Sequence, residues 1–115
     1  MKLSLNGYNA KYATFKLAAN SAAAEGNMVK VTGSYTVDKA GDGNVFAGLL
    51  IHKTGSAALV QTGGYMNVPY TGTAPAYGYN IIACNATGGI KTNSTGIGVT
   101  VVDIDTDNST VGIIL

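Results

Sequence analysis

The sequence predicts an all-β fold: a small single-domain β-barrel or β-sandwich with an extended N-terminal arm. Turn signals recur every eight to twelve residues and separate short runs of β-branched and aromatic residues. The chain has 16 glycines, no arginine and a single glutamate, a composition that favours strands and turns over helices. No window of the sequence shows convincing helical spacing of apolar residues. A length of 115 residues suits one domain with one substantial core.

The first 24 residues differ in composition from the rest, so we expect an N-terminal arm over 1–24 and a barrel or sandwich domain over 25–115. Lysines, aromatic residues and alanines are mixed in this part of the chain. Alternation of side chains over Tyr12–Leu17 indicates a short strand. An extended arm that becomes ordered against a partner is the alternative.

From Gly26 onwards the chain alternates between strands and turns. Asp42-Gly43 predicts a turn that leads into a buried strand from Val45 to Ile51. Gly48, within that strand, is expected to mark a bulge or a close approach of two backbones. Gly63-Gly64 predicts a hairpin between two strands. Later strands are predicted in "YNIIAC", "IKT", "IGVTVVDID" and "TVGIIL".

Charge, apolar runs and cysteine content disfavour several classes of partner and location. The seven lysines are scattered and the net charge is +1, which disfavours nucleic-acid binding. The chain has no apolar run of 18 residues, so no membrane span is expected, and the first 24 residues lack the apolar stretch of a secretory leader. Cys84 is the single cysteine and is expected to be a buried apolar side chain, in a protein synthesised in the cytoplasm.

The candidate catalytic and ligand motifs are incomplete, so we expect neither an enzyme nor a cofactor or metal site. The glycine-rich stretch Ala40–His52 lacks the Lys-Ser/Thr pair of a phosphate loop and the third glycine of a dinucleotide loop. Asp103, Asp105 and Asp107 resemble the start of a calcium loop, but its glycine and glutamate are absent. We interpret them as the solvent face of a strand that runs into a turn. His52 has no evident nucleophile beside it.

Tyrosines are the remaining candidates for a binding surface. Tyr65, Tyr70, Tyr77 and Tyr79 surround a loop that contains proline and glycine. Such residues are favoured at protein interfaces because they bury a ring while keeping a hydroxyl for hydrogen bonding. They can also stack on sugar rings, so a carbohydrate-binding module, or a fibre or tail module, is the alternative to a protein interface. Ordinary packing within the fold is the third interpretation.

The segment from Ala22 to Leu115 resembles the capsid decoration, or head cement, proteins of tailed bacteriophages. The resemblance lies in the order of "EGNMVKVTGSYTV", "AGDGNVFAGLLI", "ALVQTGGYMNVPY", "YNIIACNATGGI", "GIGVTVVDID" and "TVGIIL". It implies a non-enzymatic virion protein that binds the exterior of the capsid and braces neighbouring major capsid subunits, often as a trimer. An arm that adds a strand to a partner's sheet would use Tyr8, Tyr12, Phe15 and Lys16 as contacts.

Overall fold

A computed structural model describes residues 8–115, which form ten β-strands in two sheets. The prediction of a small all-β domain is confirmed. The strands are β1 (Lys11–Leu17), β2 (Met28–Gly33), β3 (Thr36–Lys39), β4 (Gly48–Thr54), β5 (Ala57–Gly63), β6 (Tyr65–Pro69), β7 (Gly78–Cys84), β8 (Ile90–Thr92), β9 (Ile97–Asp105) and β10 (Thr110–Ile114).

The first five strands form a closed barrel in the order β1-β3-β2-β4-β5. β1 closes it by pairing antiparallel with β5 along most of its length and parallel with the start of β3. Closure removes the exposed edges that an open five-stranded sheet would present to other chains.

The last five strands form a second sheet in the order β6-β10-β9-β7-β8. Its two edges approach each other, because Tyr70, directly after β6, forms a parallel bridge with Ile90 of β8. The Thr71 N–H extends this contact by donating to the Ile90 carbonyl. The sheet therefore curves around its own apolar side, leaving a convex outer surface.

Two hydrophobic cores lie on opposite sides of a wall made by β2 and β4. Val29 and Leu50 point into the barrel, whereas Met28 and Leu49 point into the core of the second sheet. All four side chains are buried. Alternate residues of a strand face opposite sides, so a strand between two cores must be apolar on both. This arrangement explains the continuous apolar run that the sequence shows around Leu49.

The predicted arm over 1–24 is wrong for Lys11–Leu17, because these residues are a strand of the barrel. Their main-chain groups are paired with β5 on one side and with β3 on the other. The prediction of a strand over Tyr12–Leu17 is confirmed. Ala23 is also buried in the barrel core, so residues after β1 belong to the domain as well. The first seven residues of the predicted arm lie outside the described residues.

The strand predicted over Val45–Ile51 begins later than expected, at Gly48, and continues to Thr54. Val45 is exposed and precedes the strand, whereas Phe46 is buried against the second sheet. The close backbone approach predicted at Gly48 is confirmed. A Cβ atom there would lie 2.8 Å from Val60 Cγ1 and closer still to the Gln61 carbonyl oxygen.

The hairpin predicted at Gly63-Gly64 is wrong. β5 ends in the barrel, and β6 begins the second sheet without pairing with β5. Gly64 has a φ of +86°, and its N–H and carbonyl both bond to Leu115. The backbone of Tyr8 and Asn9 lies so close to Gly64 that a side chain there would collide with it. The glycine pair is therefore the joint between the two sheets.

Candidate functional site

The convex surface of the second sheet carries a row of uncharged side chains that crosses four strands. Tyr65 of β6 lies opposite Ile114 of β10, which lies opposite Thr100 of β9, and Thr100 lies opposite Tyr79 of β7. Strands are about 4.8 Å apart, so the row spans roughly 14 Å. We call this row, together with Gly112, Gly98 and Ile81 beside it, the outer face.

Each tyrosine of the row lies over a glycine on the neighbouring strand. A methyl group at Gly98 would come within 2.6 Å of Tyr79 Cε1, and one at Gly112 within 2.7 Å of Tyr65 Cε1. Aromatic rings cover strand glycines in this way because the missing side chain leaves a space on the sheet. Both rings are thereby held close to the sheet, and the Tyr79 side chain is still 74% exposed.

The row contains no charged residue, and further apolar side chains lie around it. Ile81 pairs with Gly98 on the same surface and is 38% exposed. Val102, at a bulge of β9, and Tyr77, directly before β7, are also exposed. The nearest acidic group in the register is Asp103, opposite Gly112. An exposed surface of this composition is typical of a contact site for another molecule.

Of the four tyrosines predicted to form an interface, Tyr65 and Tyr79 lie on the outer face, and Tyr77 lies next to it in sequence. The prediction is wrong for Tyr70, which is only 8% exposed and belongs to the core of the second sheet. Its N–H donates to the Ser109 carbonyl, and its backbone forms the bridge to β8. Tyr70 therefore closes the second sheet.

The four residues predicted to contact a capsid divide between the surface and the core. Tyr12 and Lys16 are exposed on the outside of the barrel, on the same side of β1. Phe15 points inward and packs against the barrel core, so it is not a surface anchor. Tyr8 is exposed, and its carbonyl accepts a hydrogen bond from the N–H of Tyr65 at 2.9 Å.

Tyr35 is an exposed residue that the sequence analysis missed. It lies in the turn between β2 and β3, has a φ of +53° and is 79% exposed. The signal in the sequence is the turn "GSYT", which has tyrosine where glycine or asparagine would fit a left-handed backbone. Large side chains rarely adopt this conformation.

In the structure, the His52 side chain contacts Thr54 and Glu25, two neighbours that could not be recognised from the sequence. Its Nε2 lies 2.9 Å from Thr54 Oγ1, and its Nδ1 lies 2.7 Å from Glu25 Oε2. The order hydroxyl, imidazole, carboxylate matches that of a hydrolytic triad, but the His52 and Glu25 side chains are 65% and 50% exposed to water. Glu25 also accepts from the Lys53 N–H. These contacts hold the loop that precedes β2 against strand β4.

In the "DIDTDN" segment, the Asp105 carboxylate organises the turn between β9 and β10. The Asp105 carboxylate accepts hydrogen bonds from the N–H of Asp107 and from both the N–H and the side-chain amide of Asn108. The pKa of Asp105 is lowered, mainly because the Asn108 side-chain amide donates a hydrogen bond to its carboxylate. Asp107 lies in the turn and not in the strand. The carboxylate of Asp105 therefore caps the loop between β9 and β10.

Cys84 is buried, as predicted, and its thiol leads to a prediction about alkaline stability. Burial raises its pKa from 9.0 to about 11, with Lys30 acting weakly in the opposite direction. The unfolded chain ionises first, so the free energy of unfolding should fall as the pH rises from about 9 to about 11. In urea denaturation at pH 8 and pH 10.5, Cys84→Ala should lose less stability between the two pH values than the natural protein. Equal losses would contradict this account.

No protein-family model matches the sequence, and a search of curated proteins found no match. No helix long and apolar enough to cross a membrane occurs among residues 8–115.

Proposed function

We propose that this protein is a non-enzymatic capsid decoration protein of a tailed bacteriophage. It binds the exterior of the capsid in the virion and stabilises contacts between major capsid subunits, as a homo-oligomer for which a trimer is favoured. The observation that carries the proposal is the outer face, an uncharged, partly aromatic surface on a hydrogen-bonded sheet.

The chemistry of the outer face suits a protein partner. Tyr79 and Ile81 expose apolar surface that water solvates poorly, and burial against a partner is favourable by about 25 cal/mol per Å². Tyr65 and Tyr79 lie close against the sheet, so binding would cost little additional side-chain entropy. The chain as a whole has only 11% charged residues, which is low for a protein surface that faces water on all sides.

Co-sedimentation with capsids tests the proposal. The purified protein is mixed with empty expanded capsids, and separately with unexpanded precursor capsids, of the phage that encodes it. We expect saturable binding to the expanded capsids and an increase in their melting temperature. The proposal is overturned if the protein binds neither expanded nor unexpanded capsids.

The tyrosine rings that lie over Gly98 and Gly112 support a second candidate function, a carbohydrate-binding module. A ring that lies along a sheet presents its free face to a sugar ring, and Tyr79 has the necessary exposure. Affinity electrophoresis in polysaccharide gels, together with a glycan array, distinguishes the candidates. Retardation of the natural protein that is lost in Tyr77→Ala and Tyr79→Ala would favour sugar binding, and no retardation alongside capsid binding would exclude it.

A further inference from the structure

Tyr35 occupies the tip of the hairpin between β2 and β3, on the barrel and not on the outer face. It is the most exposed of the large apolar side chains among residues 8–115, at 79%. Ser34 and Tyr35 form a two-residue connection between Gly33 and Thr36, and the hydroxyl of Thr36 donates to the Ser34 carbonyl. The ring therefore extends from a short, hydrogen-bonded turn.

The backbone at Tyr35 is in a conformation that tyrosine disfavours. Its φ of +53° is in the left-handed region, where glycine or asparagine would be less strained. The surrounding structure holds it there, because the Lys16 N–H donates to the Tyr35 carbonyl at 2.6 Å. That bond uses only the main chain, so glycine or asparagine would satisfy it equally well. The fold requires the turn, but it does not require the ring.

Strained residues that the fold does not require are found preferentially at functional sites. We propose that Tyr35 is a docking anchor that inserts into an apolar pocket on the capsid surface, with the Lys16 ammonium paired to a carboxylate at the rim of that pocket. Lys16 is exposed and lies directly beside the tip, opposite Thr36 in the register of β1 and β3. The partner site therefore combines an aromatic-sized pocket with a negative charge.

This inference rests on the proposed decoration function and extends it. The anchor lies on the barrel, whereas the outer face lies on the second sheet, so one molecule has two separate contact surfaces. The molecule is 41 Å long in its largest dimension. Two separate contact surfaces on one molecule suit a protein that bridges neighbouring capsid subunits.

Three substitutions test the anchor in the same capsid-binding assay, with thermal denaturation measured in parallel. Tyr35→Asn should raise the melting temperature by about 4 °C, because asparagine tolerates the left-handed backbone better than tyrosine, yet it should weaken capsid binding at least about 10-fold. Tyr35→Phe should retain most of the binding. Lys16→Glu should also weaken binding, and the loss should diminish at high salt, where charges are screened.

Ser109→Gly is the matched control, because Ser109 is another non-glycine residue with a left-handed backbone in a hairpin turn, at a φ of +54°. It should stabilise the fold without changing capsid binding. If the natural protein binds capsids and Tyr35→Asn binds them equally well, the anchor is excluded while the decoration function stands. If the natural protein does not bind, both proposals fail together.

Discussion

Replacing Gly48 with alanine is expected to lower the free energy of unfolding by about 3 kcal/mol, at the upper end of the range for overpacking a core. Gly48 opens β4 at the wall between the two cores and is buried. The added methyl group would collide with the main chain of Gln61 and with Val60. A backbone carbonyl in a paired strand cannot rotate away, so β4 and β5 would have to separate.

Chemical denaturation measures this effect, and Gly33→Ala is the matched control. Gly33 is also a strand glycine of the barrel, but its nearest neighbour would be Thr36 Cβ at an ordinary 3.8 Å. Because alanine restricts the unfolded chain more than glycine does, Gly33→Ala should be neutral or slightly stabilising. Equal stability of the two variants would show that the close approach at Gly48 is not a structural requirement.

Asn85→Ala is expected to destabilise the fold by about 3 kcal/mol, because the buried Gly89 N–H would lose its partner at about 1–3 kcal/mol and three further hydrogen bonds would be lost. Asn85 is 3% exposed and organises the turn between β7 and β8. Its Oδ1 accepts from the N–H groups of Thr87 and Gly89 at 2.9 and 2.8 Å. Its Nδ2 donates to Thr71 Oγ1 and to the Ile90 carbonyl, next to the bridge that closes the second sheet.

The control for this substitution is Asn93→Ala in the following loop. The Asn93 side chain makes one exposed hydrogen bond, to the Thr95 carbonyl. Its removal should change the free energy of unfolding by less than about 1 kcal/mol. Hydrogen exchange gives a second measurement: Asn85→Ala should increase the exchange of the Gly89 and Thr71 amides selectively. Unchanged protection of both amides would contradict the assigned role.

Local patterns in the sequence predict the strands well. Alternation places Tyr12 and Lys16 outside the barrel, and the apolar run around Leu49 indicates a strand buried on both faces, as the structure shows. Gly48 could be recognised because an interior strand glycine implies a close approach. In each case the deciding interactions involve neighbouring residues along one strand.

Features that depend on distant parts of the chain could not be predicted. The Gly63-Gly64 pair has the composition of a hairpin, but whether two strands pair depends on the partners available to β6, which is paired with β10. Tyr70 and Tyr79 have similar local surroundings in the sequence. Tyr70 follows Met66 and Val68 into the core and bridges to Ile90, whereas Tyr79 shares the outward side of β7 with Ile81.

The candidate site shows the same limit. A cluster of tyrosines was recognisable from composition, but the row from Tyr65 to Tyr79 depends on the registers of three strand pairs. Tyr35 was missed because a turn with tyrosine at a left-handed position breaks the usual rule for turn residues. Phe15 would be free to contact a partner if its segment were an arm, but as part of a barrel strand it packs against the core.

The most direct test of the central claim is capsid co-sedimentation of two lysine variants of one hairpin. Thr100→Lys places a charge in the middle of the outer face, whereas Thr106→Lys places the same charge in the exposed turn between β9 and β10. Both should fold, because both threonines are exposed. We predict that Thr100→Lys abolishes binding to expanded capsids while Thr106→Lys binds like the natural protein. Undiminished binding of a folded Thr100→Lys variant would contradict the assignment of the outer face as the capsid contact.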